Sequence, residues 1–242
     1  MKPARRIVAF LLACAFSTVS CAQHLWSVPR ELTPSSYQRA LPGAVRSVGR
    51  LRRVLLPLPR CEIVRDRKRL GSEEHELALT LRDLTLAELR DERGYDVVLP
   101  EVLIPVEERP GLSDEELASL VDLASRWALD SADGAQPPEE VAAAVRRLAG
   151  AWNADGVLLL QVHQRYASTW NVVLVILTAS LSWPLLLIEA RSETRADLFD
   201  AASGEIVWRR SRREIDRRSS DGLVSDVVAP IETALPAAMV VK

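Results

Sequence analysis

Residues 167–188, ASTWNVVLVILTASLSWPLLLI, run for 22 positions without a charged side chain, in a chain that is 26% charged. That length reaches the ~20 apolar residues a membrane-crossing helix needs. Three features argue against a simple span. Asn171, Thr178, Ser180 and Ser182 dilute the hydrophobicity, Pro184 interrupts the second half, and Val172–Ile176 is β-branched and suits a strand at least as well. A hairpin-like insert is the alternative, with an apolar arm out, a bend near Thr178–Pro184 and an arm back. Trp170 and Trp183 suit a membrane interface or a protein groove. Buried core or subunit contact, membrane-facing hairpin and true span all stay open. In the first two, Trp170, Val173, Val175, Trp183 and Leu186 make the membrane or partner contact.

The sequence on either side of this segment reads as one α/β domain. Val54–Pro57 is an apolar strand stopped by proline. Ser72 and the acids Glu73, Glu74 and Glu76 open a helix, and Leu77, Leu81, Leu84 and Leu89 keep its spacing. Arg90, Arg93 and Gly94 stop it before the short strand Tyr95–Leu99. Ser113-Asp114-Glu115-Glu116 is a capping box, with Leu117, Leu120, Val121, Ala124 and Trp127 on one face after it. Asp130–Gln136 reads as a loop. Pro137-Pro138 start a helix with Val141, Val145, Leu148, Ala149 and Trp152 on one side.

Val157–Tyr166 is a strand whose first half is apolar on both faces, as in a centre covered on two sides. Arg191–Phe199 and Glu205–Ile215 are strands about a turn at Asp200–Gly204, where Gly204 supplies a positive φ. Leu223, Val227, Ile231 and Leu235 mark a last helix, with a kink or break expected at Pro230. The order predicts a single layered α/β domain, a mixed β-sheet flanked by helices, over 51–238 with an apolar insert at 167–188.

The N-terminus is an export signal. Lys2, Arg5 and Arg6 precede the uncharged run Ile7–Val19, and small residues lead to Cys21. Residues 1–20 are read as a signal peptide, and 21–50 as a flexible tether rich in proline, serine and polar residues that holds a short helix at most. Thr18-Val19-Ser20-Cys21 resembles a bacterial lipobox, which makes Cys21 the lipidated residue. Leu11-Leu12-Ala13-Cys14 matches the lipobox letters better but leaves a short apolar run before it. Ser20-Cys21-Ala22 also fits ordinary cleavage after Ala22, giving a secreted periplasmic protein. Loss of residues 1–20 takes the formal charge from −2 to −5, which carries no global signature of a nucleic-acid binder.

The lipobox-like start, the Val54 strand, Tyr95-Asp96-Val97-Val98, Ala154-Asp155-Gly156-Val157-Leu158-Leu159 and Asp200-Ala201-Ala202-Ser203-Gly204-Glu205-Ile206-Val207-Trp208 occur in an order similar to that of bacterial envelope lipoproteins with a TolB N-terminal-like domain. CsgG-type secretion proteins and LpoB-type activators of penicillin-binding proteins share that broad architecture. The resemblance covers roughly residues 50–238 and implies a TolB N-terminal-domain-like fold. It also implies attachment to the outer membrane, facing the periplasm, since Ala22 replaces the Asp linked with inner-membrane retention. The apolar insert departs from the simplest members, and it lacks the alternation of barrel hairpins.

No catalytic constellation is legible. His24, His75 and His163 have no metal-ligand spacing, and Cys61 has no partner thiol once Cys14 is removed and Cys21 is lipidated. The paired acids at 115–116 and 139–140 are helix-start residues. Arg209–Arg218 reads as a solvated strand face, with lipid phosphates or an acidic partner as the alternative. The expectation is a non-enzymatic, lipid-anchored envelope protein without a cofactor or metal. It binds or assembles a protein partner and leaves an oligomer open. The alternative is a membrane-inserting oligomer subunit of a secretion or transport assembly.

Overall fold

The computed structural model describes the backbone of residues 35–40, together with residues 50–100, 112–166, 190–214 and 219–234. Its strands are β1 (Ser35–Ala40), β2 (Arg53–Leu55), β3 (Arg60–Arg65), β4 (Lys68–Arg69), β5 (Asp96–Val98), β6 (Gly156–Tyr166), β7 (Arg191–Asp200) and β8 (Ile206–Glu214). Its helices are α1 (Gly71–Ala87, running into a π turn at Glu88–Glu92), α2 (Asp114–Asp130), α3 (Glu139–Ala151) and α4 (Ser220–Ala234). They form one mixed sheet in the order β1-β8-β7-β6-β2-β5, with β3 also on β6 and β4 on β3. This is the α/β layered fold expected from the sequence.

Strand β6 organises the sheet. Its Val157–Leu160 core is buried throughout, because both faces are covered. Leu158, Leu160 and Val162 face Leu77 and Leu81 of α1 and Leu223, Val227 and Ile231 of α4. Val157 and Leu159 face Ala124 of α2 and Val141, Val145 and Leu148 of α3. One edge of β6 pairs antiparallel with β7 from Gly156↔Asp200 to Arg165↔Arg191. The other edge is shared by two parallel strands, β2 at Leu55↔Val157 and β3 at Arg60↔Gln161. Pro57 and Pro59 lie between them, where a nitrogen without a proton cannot extend the ladder. The chain steps five residues there against four on β6, so the two strands are one strand broken by a one-residue offset.

Several readings change. Ser35–Ala40, inside the expected tether, is an edge strand antiparallel to β8. The hairpin of β3 and β4 was not foreseen; it turns through Asp66 and Arg67 at φ 52° and 66°. Such a primed turn usually carries Asn or Gly, so its residues gave no signal. Glu74, in the first turn of α1, is buried and accepts from the backbone of Ile63 at 2.9 Å and from Arg69 at 2.8 Å, tying helix to hairpin. The capping box is half made. Ser113 accepts from Glu116 N at 3.2 Å, but the Glu116 carboxylate pairs with Arg147 of α3 instead of reaching back. Helix α4 runs through Pro230 without a break, held by its apolar face and by Asp226, which takes a 2.6 Å bond from Arg212 of β8.

The pairing of Arg165 with Arg191 fixes where the chain leaves and rejoins the sheet on either side of the charge-free segment. The two ends of residues 167–189 issue from adjacent strands at one end of the sheet. Among the described residues no helix is long and apolar enough to cross a membrane.

Gly204 turns β7 into β8 at φ 75°, and a Cβ there would lie 2.7 Å from the carbonyl oxygen of Ala142. Gly204→Ala therefore combines a left-handed backbone with a clash against α3. We expect a loss of at least ~2 kcal/mol, read by urea unfolding; an unchanged midpoint would contradict this packing.

Candidate functional site

The α2/α3 side of the sheet changes character along its length. At one end the facing row is Val157, Phe199 and Ile206, all in the apolar core. The next rows, set by strand register, are Leu159-Asp197-Arg209, then Gln161-Arg195-Ser211, then His163-Glu193-Arg213. Side chains two apart on a strand share a face, so the alternating charges of Arg191, Glu193, Arg195 and Asp197 all point this way.

Asp197 is fully buried, and Arg195 and Arg209 are only 2% exposed. Arg209 Nε donates to Asp197 at 2.6 Å, and Arg195 Nε at 3.2 Å. The outer ends of both guanidiniums reach the chain after α2. Arg195 donates to the Ser131 carbonyl and hydroxyl, both at 3.0 Å, and Arg209 to the Ala132 carbonyl at 3.0 Å. Helix α2 has no basic residue in its last turn. In that turn the Trp127 and Ala128 carbonyls accept from the backbone N–H and hydroxyl of Ser131, and the Leu129 carbonyl meets Arg195 at 3.5 Å, so cations from the sheet stand at the negative end of the helix dipole. Trp127 of α2 lies over Arg209, with its ring centroid 5.6 Å away. Burial pushes the Asp197 carboxyl up from its usual range, and Arg209 and then Arg195 pull it back.

The loop read as Asp130–Gln136 is pinned along most of its length. Ser211 donates to Asp133 at 2.8 Å. Gln136 both accepts from Ile206 N at 3.0 Å and donates to Ile206 O at 3.3 Å, beside the register shift at Leu198/Phe199. The Arg209–Arg218 run is therefore not simply a solvated face, since Arg209 is buried and holds this loop. The signal was present in the alternation at 191–197, but no spacing rule tells a solvated charged face from one covered by a loop.

The outer row is half-open. His163 Nδ1 lies 3.4 Å from Glu62, and Glu193 takes bonds from Arg213 at 2.8 Å and Arg191 at 3.1 Å. Burial lowers the His163 pKa from 6.5, opposed mainly by Glu62. Cys61 is buried on the other face, and its thiol is pushed up to about 12, first by burial and then by Glu74. A thiol so rarely ionised is a poor nucleophile. His75 is exposed on α1, and among the described residues no group of His, Cys, Asp and Glu could hold a metal ion. Cys21, Trp170, Val173, Val175, Trp183, Leu186 and His24 lie outside the described residues.

Two outcomes follow from this geometry. Asp197→Ala leaves two guanidiniums buried without their carboxylate, so we expect a loss of about 3–5 kcal/mol and faster proteolysis at 129–136. Full stability in the variant would show the cluster to be idle. For His163, a folded pKa below the unfolded 6.5 means the unfolded chain binds more protons near that pH. The contribution is intact above the unfolded value and is lost as pH falls through it. Stability curves of the wild type and His163→Gln should therefore run parallel above neutral pH, and the wild type should lose stability relative to the variant as pH falls below 6.5; curves that stay parallel into acid would refute the assignment.

No protein-family model matches the sequence, and neither does any curated protein. The chain is similar in structure to a PelC dodecamer from Paraburkholderia phytofirmans, with 13% identity, a TM-score of 0.42, and 84% of this chain and 99% of that one covered. A PelC variant dodecamer from the same organism gives 14% identity and a TM-score of 0.41, over 85% and 99% of the two chains. The LpoB C-terminal domain from Salmonella enterica gives 13% identity and a TM-score of 0.30, over 69% of this chain and 85% of that one.

Proposed function

We propose that the chain is a non-enzymatic, lipid-anchored protein of the bacterial envelope that binds or assembles a protein partner. The anchor is lipid on Cys21 after removal of residues 1–20, and the protein sits on the outer membrane facing the periplasm. Its α/β domain is the partner-binding body. The observation that carries this reading is the pairing of Arg165 with Arg191. It fixes both roots of the charge-free segment in adjacent strands, which supports a contact segment carried by one folded scaffold. Trp170, Val173, Val175, Trp183 and Leu186 are then the contact residues.

The described chemistry supports a binding role over catalysis. Asp197, Arg195 and Arg209 are used up in holding the loop after α2. Glu74 holds the β3–β4 hairpin to α1, and the Cys61 thiol is rarely ionised. The same paired roots favour one further reading, an oligomer subunit that inserts a two-armed hairpin into the bilayer.

Membrane fractions of the wild type and Cys21→Ser, washed with alkali, separate the two. Mass spectrometry first checks that the variant has lost its signal, since an uncleaved apolar run would anchor it. We expect the processed variant to be released and the wild type to stay. A processed variant that survives the wash would move the inserting subunit to the front.

A further inference from the structure

Strand β1 decides at which end of the sheet the N-terminal chain joins the domain. It runs antiparallel to β8, from Ser35↔Arg213 to Ala40↔Trp208. Arg213 lies opposite Glu193 on β7, and Glu193 opposite His163 on β6. Ser35 therefore stands toward the end of the sheet that carries Tyr166 and Arg191, and Ala40 toward the end that carries the Gly204 turn. Strand β2 starts at the Gly204 end. Val54 lies opposite Gly156, which in turn faces Asp200. Just before it, the backbone N–H groups of Arg52 and Arg53 donate to the Asp155 carboxylate at 2.9 Å. Ala40 and Leu51 are thus at one end, four strand steps or about 19 Å apart. The residues between them, 41–50, reach up to about 35 Å, enough to join β1 to β2 around that end.

The chain leading from Cys21 therefore has two possible points of attachment. With β1 docked it joins the domain at Ser35, by the Tyr166 end. With β1 off β8 it would join at Leu51, by the Gly204 end. The step along β6 from Gly156 to His163 separates the two by about 24 Å along the strands. Docking also shortens the connection. Residues 22–34 span at most about 47 Å, whereas residues 22–50 span up to about 100 Å.

We infer that β1 is an orienting strap: docked on β8, it brings the anchor-side chain to the Tyr166 end of the sheet and turns that end toward the membrane. Without it the same anchor would act on the Gly204 end. The inference rests on the proposed lipid at Cys21, and it uses β1 as a backbone ladder alone. A ladder is enough, because a strand can be added to a sheet edge or lost from it without repacking the core. Strand β8 stays paired with β7 from Ser192↔Glu214 to Phe199↔Ile206 in either state.

The test uses the processed, lipidated chain in phosphatidylcholine vesicles that carry a rhodamine-labelled lipid. A donor dye is placed on Arg165→Cys at one end or on Ala202→Cys at the other. Both positions are exposed, and Cys61 is buried with a thiol too rarely ionised to compete for the dye. We expect stronger energy transfer to the bilayer from 165 than from 202. In the double variant Tyr37→Pro, Gln38→Pro, one proline must remove an N–H that faces β8, since successive residues of a strand point their N–H groups to opposite edges. The difference between the two labels should then vanish or reverse, and the β8 amides should exchange with deuterium about ten-fold faster or more. Equal transfer from the two labels with β1 unaltered, or a difference that the prolines leave untouched, would overturn the strap. Unchanged β8 exchange would overturn the docking itself. Thermal unfolding checks that the variant is folded; where it is not, an equal-length Gly/Ser replacement of 35–40 takes its place. Mass spectrometry reads the lipid separately. A chain without lipid at Cys21 sinks the anchor and the orientation drawn from it, whereas a lipidated chain with equal transfer sinks the strap alone.

Discussion

The pairing of β6 with β7 along the full length of β6 is the constraint on which the other features depend. It sets which side chains share a face, and so assembles the Asp197 cluster from residues on two strands. It also brings Arg165 and Arg191 together, which fixes where the apolar segment begins and ends. A slip of one residue would either turn Leu158, Leu160 and Val162 of β6 away from α1 and α4 or carry Asp197 of β7 onto their face. Neither layer could accept the exchange, so the register is strongly specified.

The Asp197 cluster shows a second kind of specification. A hydrophobic isostere could fill the same space, and buried ion pairs often gain little net stability over one. This arrangement does something an apolar plug cannot do. Two guanidiniums in fixed positions meet the carbonyls of Ser131 and Ala132, so the end of α2 is placed in angle as well as in depth. The loop that follows is then held by Asp133 and Gln136, and α3 enters at a defined position over Val157 and Leu159.

The parts of the fold legible in the sequence were those set by periodicity and by local punctuation. The two-sided apolar run of β6, the Gly204 turn and the capping serine at 113 each depend on neighbours in sequence. The β3–β4 hairpin was not legible, because Asp66 and Arg67 adopt positive φ without glycine. Strand β1 was not legible because Ser35–Ala40 has no apolar alternation, and its pairing partner β8 lies far along the chain. The burial of Arg195 and Arg209 is not legible for a related reason. A charge can be buried only where distant groups meet it, and no spacing within β8 reports that Asp197 and the Ser131 loop converge on Arg209. Of the candidate contact residues, the sequence located the apolar segment, while the structure located its two roots.

On the α2/α3 face the packing changes along the strands. At the end carrying the Gly204 turn the rows are apolar, and α3 and that turn close over them. Toward the other end the rows pass from Leu159 through Asp197 and Gln161 to His163, and the cover thins to ion pairs. A purely structural domain would gain from apolar rows along its whole length, since each buried side chain contributes roughly 1.5–3 kcal/mol. On the α1/α4 face, by contrast, the core runs on through Val162 and Ile63 to Tyr166 at the same end of the sheet. The two faces of one sheet end therefore differ, apolar under α1 and α4 and ionic on the side of α2, and each is specified by partners distant in sequence.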